Sequence, residues 1–191
     1  METQKGRCGE PEEARILVLT HCILNLATRW RLTETTAGPQ GPVSQVLEFL
    51  VEKGIGSVQL PCPESTFCGN PRPPRTRDEL ENLPSFRHHC KGLAKTAAQQ
   101  LDALIRMSQC PRIRIVAVVG IERSPSCAVS CTPRSGIGGT RFVEGKGLFM
   151  EALGKELSGF GLRVPFVGFD LREPEASVER LIRRGEEHEE I

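Results

Sequence analysis

The most constraining feature of the sequence is an apolar stretch, residues 113–119, that runs directly into a polar one. The stretch IRIVAVV is rich in β-branched residues, which predicts a buried strand. Residues 120–127, GIERSPSC, follow at once and carry an acid, a base, two serines and a cysteine. Two other predicted strands also lead to a cysteine: residues 14–20 to Cys22, and residues 56–60 to Cys62. The fold must therefore collect polar and thiol side chains at the ends of its strands.

Strands and helices alternate along the chain. Apolar residues at i, i+3 and i+4 predict a helix over residues 43–53, and alanine and leucine spacing predicts another over 83–107. The remaining predicted elements are a helix over 148–157, a strand over 162–167 and a helix over 176–184. This order predicts an α/β fold: an open, mostly parallel sheet of about four or five strands with helices on both faces, a Rossmann-like three-layer arrangement. Pro165 places the last strand at an edge.

Length and charge limit the organisation and the partners of the chain. A chain of 191 residues predicts one α/β domain, over residues 14–187, between a disordered leader (1–13) and an acidic tail (188–191). The formal net charge of +1 gives no electrostatic reason to expect a nucleic-acid polymer or a membrane as partner. The N-terminus lacks the apolar core of a signal peptide, and no apolar run approaches the ~20 residues of a membrane helix. We therefore expect a cytoplasmic protein.

Three of the eight cysteines fall where a parallel sheet binds ligands. Such sheets place ligands beyond the carboxyl ends of their strands, and Cys22, Cys62 and Cys127 all lie there. No Cys-x2-Cys pair is present, so a metal site must be gathered from separate parts of the chain. We expect these three to converge as ligands; the alternative is plain burial of free cysteines. Cys8, Cys90 and Cys110 are expected to be bystanders. Cys68 and Cys131 are either bystanders or an occasional fourth ligand.

Two further residues are candidates for chemistry beside such a metal. Three thiolates leave a coordination position open, and they suit zinc or an iron–sulfur cluster. Glu64 lies two residues beyond Cys62, and its carboxylate could move a proton or activate water. Ser124 lies three residues before Cys127, and its hydroxyl could orient a substrate. The structural alternative for both residues is capping of the next segment.

The remaining polar residues are expected to be structural. We predict an ion pair between Glu122 and Arg123, a capping role for Asp170 and a core position for His21. Residues 65–79, with glycine and three prolines, are predicted to be a long irregular segment. A solvated position on a loop is expected for the arginine group of Arg72, Arg75 and Arg77.

Three motifs carry a resemblance to a known family. The sequences THCILN (20–25), PCPE (61–64) and ERSPSC (122–127), in this order, resemble the DUF523 family, which includes the thiouracil desulfidases. The resemblance covers roughly residues 14–170. It implies a [4Fe-4S] cluster whose fourth iron accepts sulfur from a thiolated nucleobase or similar small thioamide, without redox change. It also implies roles for five residues: Cys22, Cys62 and Cys127 as cluster ligands, Glu64 as acid/base residue and Ser124 as assisting hydroxyl.

The motifs also depart from the family pattern. Asn25 stands where the family commonly has glycine, and Ala128 replaces the glycine that usually follows the last motif. The expected partners are a small thiolated substrate and cluster-assembly proteins. Two other classes stay open: a non-catalytic zinc- or cluster-binding or sulfur-carrier module, and a metal-free α/β binding domain.

Overall fold

The structure is a computed structural model that describes residues 13–30 and 40–186. The strands are β1 (Glu13–Leu19), β2 (Gly56–Gln59), β3 (Arg112–Ile121), β4 (Cys131–Gly136), β5 (Gly139–Glu144) and β6 (Phe166–Phe169). The helices are α1 (His21–Leu24), α2 (Ser44–Glu52), α3 (Pro63–Cys68), α4 (Arg77–Glu81), α5 (Phe86–Met107), α6 (Leu148–Gly159) and α7 (Pro174–Glu186). Apart from Glu13, the predicted leader lies outside the described residues, and so does the acidic tail.

Four strands form one parallel sheet in the order β2-β1-β3-β6, with helices on both faces. The predicted α/β, three-layer fold is therefore confirmed. The β6 strand is at an edge, as its proline indicated, but it begins one residue after Pro165 rather than at residue 162. No helix of the described residues has both the length and the apolar character needed to cross a membrane.

Alternation along the central strands builds two separate cores. Ile16 and Val18 pack on one face of the sheet against α5 and α6. Leu17 and Leu19 pack on the opposite face against α2 and α7. Burial on both faces explains why the sequences of these parallel strands are continuous apolar runs. Burial of each leucine side chain contributes ~1.5–3 kcal/mol to the free energy of unfolding.

Two segments differ from the predictions. Residues 65–79 are not irregular throughout, because α3 ends at Cys68 and α4 starts at Arg77. Residues 131–144, where no element was predicted, form an antiparallel hairpin, β4–β5, joined by the two residues Ile137 and Gly138. Gly138 has a φ of 84°, a conformation that a two-residue hairpin turn requires and that glycine adopts without strain.

The strand order creates a crevice at one end of the sheet. The chain passes from β1 to β2 on one side, and then to β3 on the other side of β1. Loops diverge at such a switch point, and ligands of open α/β sheets bind there. The segments that follow β1, β2 and β3 all begin at this end.

Candidate functional site

A cavity of about 540 Å³ lies where the segments after β1, β2 and β3 meet. It is lined by all five residues that the sequence singled out: Cys22, Cys62, Cys127, Glu64 and Ser124. All three cysteines are free thiols. The structure therefore brings together the side chains that the motifs place far apart in sequence.

The first thiol follows β1 directly. Thr20 still pairs with β3, its amide donating to Val119 over 3.1 Å, and Cys22 then lies in the short helix α1. Burial raises the pKa of the Cys22 thiol to about 11, and the nearby Arg29 guanidinium opposes this shift. Ending the strand at this point turns the thiol out of the sheet and into the cavity.

The second thiol and the carboxylate lie on α3. Cys62 is the N-cap residue of this helix, and its Sγ accepts a hydrogen bond from the Ser65 amide at 3.4 Å. Pro63 starts the helix, a position where proline loses no hydrogen bond. Glu64 follows in the first turn and is buried, with 8% of its surface exposed. The PCPE motif thus directs a thiol and a carboxylate to one wall of the cavity.

The third thiol lies in a tightly packed loop after β3. The Cys127 carbonyl accepts from the Ile121 amide at 2.9 Å, which folds the loop back on its strand. The Ser124 Oγ accepts from the Cys127 amide at 3.0 Å, so this hydroxyl caps the loop. A Cβ at Gly147 would lie 2.3 Å from the carbonyl carbon of Ser126. Glycine is therefore required where α6 begins against the loop.

A serine that sequence reasoning missed contacts the carboxylate. The Ser126 Oγ donates to Glu64 Oε1 over 2.5 Å and lies 3.4 Å from the Cys127 Sγ. Ser126 is 1% exposed. The expected assisting hydroxyl, Ser124, lines the cavity but bonds backbone amides and lies 3.3 Å from the Ser126 Oγ. The signal was the second serine of the same motif, one residue before the cysteine.

The other carboxylate oxygen faces a buried arginine. Arg72 Nε lies 3.6 Å from Glu64 Oε2, and the remaining guanidinium nitrogens bind the Gly69 carbonyl, the Asn70 side chain and the Thr28 carbonyl. Arg72 is 6% exposed. The prediction of a solvated loop arginine was wrong here, because the irregular segment folds back and places Arg72 against the cavity.

The other two arginines of that group, Arg75 and Arg77, are also at least partly buried. Arg77 is buried and pairs with Glu81 and with Glu151, the latter at 2.6 Å. Arg75 lines the cavity, and its Nε is buried without a hydrogen-bond partner among the described residues. A run of basic residues in a proline-rich stretch carries no periodicity that could have indicated this burial.

The three thiols are electrostatically coupled. Burial raises the pKa of Cys127 well above its usual value, and the neighbouring Cys22 and Cys62 thiols raise it further. Cys62 also contributes to the raised pKa of Cys22. Because a coordinated metal deprotonates a thiol outright, a bound cation would reverse these shifts. Without a bound cation, these shifts favour the protonated thiols of Cys22 and Cys127.

Three thiolates could hold either a single metal ion or a cluster. In residues 13–30 and 40–186, no three His, Cys, Asp or Glu side chains are arranged to hold one metal ion. A zinc ion needs its thiolates at about 2.3 Å from one point. A cubane cluster takes its protein thiolates at different irons, so its ligands stand around a larger body. Three soft donors around one cavity are compatible with a cluster in number and in chemistry.

Arg123 also lines the cavity. This residue has a φ of 62°, a left-handed conformation that costs ~1–3 kcal/mol for a residue other than glycine. Its Nη2 lies 3.0 Å from Asp170 Oδ2, and its guanidinium lies over the Phe142 ring, 5.6 Å from the centroid. Phe142 and Trp30 also line the cavity and are both partly exposed.

The predicted pairing of Glu122 with Arg123 was wrong. The Glu122 carboxylate instead accepts from the backbone amides of Ser130 and Cys131, the latter at 2.7 Å, and so fixes the start of β4. Asp170, expected to cap the last helix, is the partner of Arg123 and also accepts from the Arg172 amide. Adjacent opposite charges in sequence diverge here because the backbone turns sharply between them.

The other cysteines of the described residues do not line the cavity. Cys68 and Cys131 are half-buried free thiols outside its wall, and Cys90, on the buried face of α5, belongs to the core. Cys110 is disulfide-bonded, which the sequence did not indicate. Cys8 lies outside the described residues.

Comparison with known proteins gives a distant relative. The chain is similar to a protein of Methanocaldococcus jannaschii described as "Uncharacterized protein MJ0003", with 23% identity over 159 residues, which cover 83% of this chain and 88% of the relative. No family model and no solved structure matches the chain. The resemblance to the DUF523 family therefore stays a prediction.

Proposed function

We propose that this protein is a cluster-dependent, non-redox desulfidase that acts on a thiolated nucleobase or a similar small thioamide. The net reaction is hydrolysis: a thiocarbonyl and water give a carbonyl and hydrogen sulfide. The observation that carries the proposal is the single cavity in which three free, mutually coupled thiols meet the buried carboxylate of Glu64. The sequence motifs that supply these groups are those that resemble the desulfidase-containing DUF523 family.

The residues that would hold the cofactor are Cys22, Cys62 and Cys127. When bound through three thiolates, a [4Fe-4S] cluster supplies an iron with an open position, a Lewis acid suited to sulfur. The cavity volume of about 540 Å³ is within the range of small-molecule sites. No fourth cysteine of the described residues lines the cavity, which favours an open iron over a closed structural site.

Glu64 is placed to handle the proton of the attacking water. Its Oε1 accepts from Ser126 and its Oε2 faces Arg72, so both oxygens are oriented by buried partners. A carboxylate held in this way can take a proton from water and return it to the departing sulfur. The nearby Ser126 hydroxyl, in contact with both Glu64 and the Cys127 sulfur, keeps this group beside the cluster ligand.

Anaerobic isolation of the full chain tests the proposal. We expect a brown protein with about four irons per chain that releases sulfide from 4-thiouracil. Cys127→Ser should lose iron and activity together. Cys131→Ser is the matched control, because this thiol lies outside the cavity wall, and it should retain both. Iron-loaded protein that releases no sulfide from any thiocarbonyl would favour the carrier alternative. Full iron content in Cys127→Ser would contradict the ligand assignment.

A further inference from the structure

Among the described residues, only one of the two terminal nitrogens of the Arg123 guanidinium has a polar partner. Asp170, at the end of β6, binds one terminal nitrogen, Nη2, at 3.0 Å. The Phe142 ring of the hairpin lies against the guanidinium face, 5.6 Å from ring centroid to Cζ. The other terminal nitrogen, Nη1, is buried and has no hydrogen-bond partner among the described residues. A buried donor without an acceptor is costly, so such groups call for an explanation.

The backbone of Arg123 is also in an unusual conformation. Its left-handed φ of 62° is strained for an arginine, and its amide is fixed by the Cys131 carbonyl at 2.8 Å. Strain of this kind is retained where the surrounding structure enforces it, commonly at ligand sites. Arg123 lines the cavity next to Ser124, so its side chain borders any molecule that enters the cavity.

We propose that Arg123 is a specificity-determining residue whose guanidinium donates a hydrogen bond to an oxygen acceptor on the ring of the thiocarbonyl substrate, with Asp170 holding the side chain in position. This inference rests on the proposed function for the nature of the ring. The cluster side of the cavity then recognises sulfur and the Arg123 side recognises oxygen. A substrate with both groups is bound in one orientation, and one without the oxygen is rejected because the donor stays unpaired.

Two probes, one with this oxygen and one without it, test the proposal. 4-Thiouracil carries a ring carbonyl, and pyrimidine-4-thione lacks it. We expect cluster-loaded wild-type protein to bind 4-thiouracil about 10–100-fold more tightly, the range of a hydrogen bond to a charged group. Arg123→Met should remove this preference by weakening 4-thiouracil alone. Asp170→Asn should give an intermediate loss. Arg141→Met, on the same hairpin but outside the cavity wall, should leave the preference intact.

Arg123→Gly separates recognition from a purely structural role. Glycine relieves the left-handed strain, which offsets part of the stability lost with the Asp170 ion pair, so the variant should still fold, as judged by thermal unfolding, while the preference is lost. Equal binding of the two probes by the wild type, or equal weakening of both in Arg123→Met, would overturn the inference. The same titrations on cluster-free protein decide the matter even if the chain takes up no iron. Failure of the proposed function is a separate result: the wild-type protein would then bind no cluster or release no sulfide.

Discussion

Ser126 and Glu64, 62 residues apart, share a hydrogen bond of 2.5 Å that joins the loop after β3 to the helix after β2. Both residues are buried. The Ser126 hydroxyl also lies 3.4 Å from the Cys127 sulfur. One side chain thus connects the candidate acid/base group with a candidate cluster ligand. A displacement of Ser126 would change its contacts with both Glu64 and Cys127.

The first prediction concerns this hydroxyl. Ser126→Ala should lower kcat about 10–100-fold, because Glu64 loses an orienting hydrogen bond to its charged form. Iron content should stay at the wild-type level, since no ligand is removed. Ser124→Ala is the matched control: it removes a cap on the Cys127 amide and should lower the unfolding free energy by about 1 kcal/mol. Sulfide release and thermal unfolding measure the two effects. A larger kcat loss in Ser124→Ala would return the assisting role to that serine.

The second prediction concerns the buried pair of Arg72 and Glu64. Arg72→Met keeps the aliphatic length but leaves a buried carboxylate without its counter-charge, so the unfolding free energy should fall by about 3–5 kcal/mol. The double variant Arg72→Met with Glu64→Gln should recover part of this loss, because both charges are gone. Urea unfolding of the single and double variants measures the coupling.

Arg87→Met is the control for the second prediction. Arg87 pairs with Glu81 at 2.7 Å but is half exposed, and exposed pairs contribute about 0–1 kcal/mol. Additive losses in the Arg72 and Glu64 variants would show that the two residues do not interact.

The parallel sheet could be predicted because its signals are local. An apolar run such as residues 113–119 has to be buried wherever it lies, and helices between such runs require parallel crossovers. The hairpin β4–β5 escaped prediction because its strands are polar and half exposed, without an apolar face to mark the period. Its signal was Gly138, because a two-residue hairpin turn requires a positive φ that glycine adopts readily.

The site could be predicted only as far as topology determines it. Strand order brings Cys22, Cys62 and Cys127 to one crevice regardless of side-chain detail. Which of two serines reaches Glu64 depends on the fold of one loop, and spacing along the chain does not determine it. The burial of Arg72 depends on contacts to distant backbone carbonyls, for which a basic, proline-rich stretch gives no signal.

The third prediction concerns the close approach of α6 to the cysteine loop. A Cβ at Gly147 would lie 2.6 Å from the Cys127 nitrogen as well as against Ser126. Gly147→Ala should therefore cost about 1–3 kcal/mol and reduce the iron content, because the loop has to move. Gly92→Ala is the matched control, since its Cβ meets nothing within 4 Å. It should instead stabilise α5 by about 0.5–1 kcal/mol. Unchanged iron and stability in Gly147→Ala would show that the loop yields freely.

The fourth prediction concerns the link between α4 and the hairpin. Asp78 accepts from the Ser135 amide at 2.7 Å and from Arg134 at 2.5 Å, and these bonds, the amide first, lower its pKa from the ordinary value of 3.8. A lowered folded-state pKa contributes stability above the unfolded value, and this contribution is lost as the pH falls through the folded value. Wild-type protein should therefore exceed Asp78→Asn in urea midpoint at about pH 6, and the difference should shrink below about pH 4. Because Ser135 lines the cavity, release of the hairpin at low pH should weaken ligand binding in the wild type as well. A midpoint difference that is independent of pH would contradict this linkage. It would mean that the negative charge of Asp78 does not contribute to the stability of the folded state.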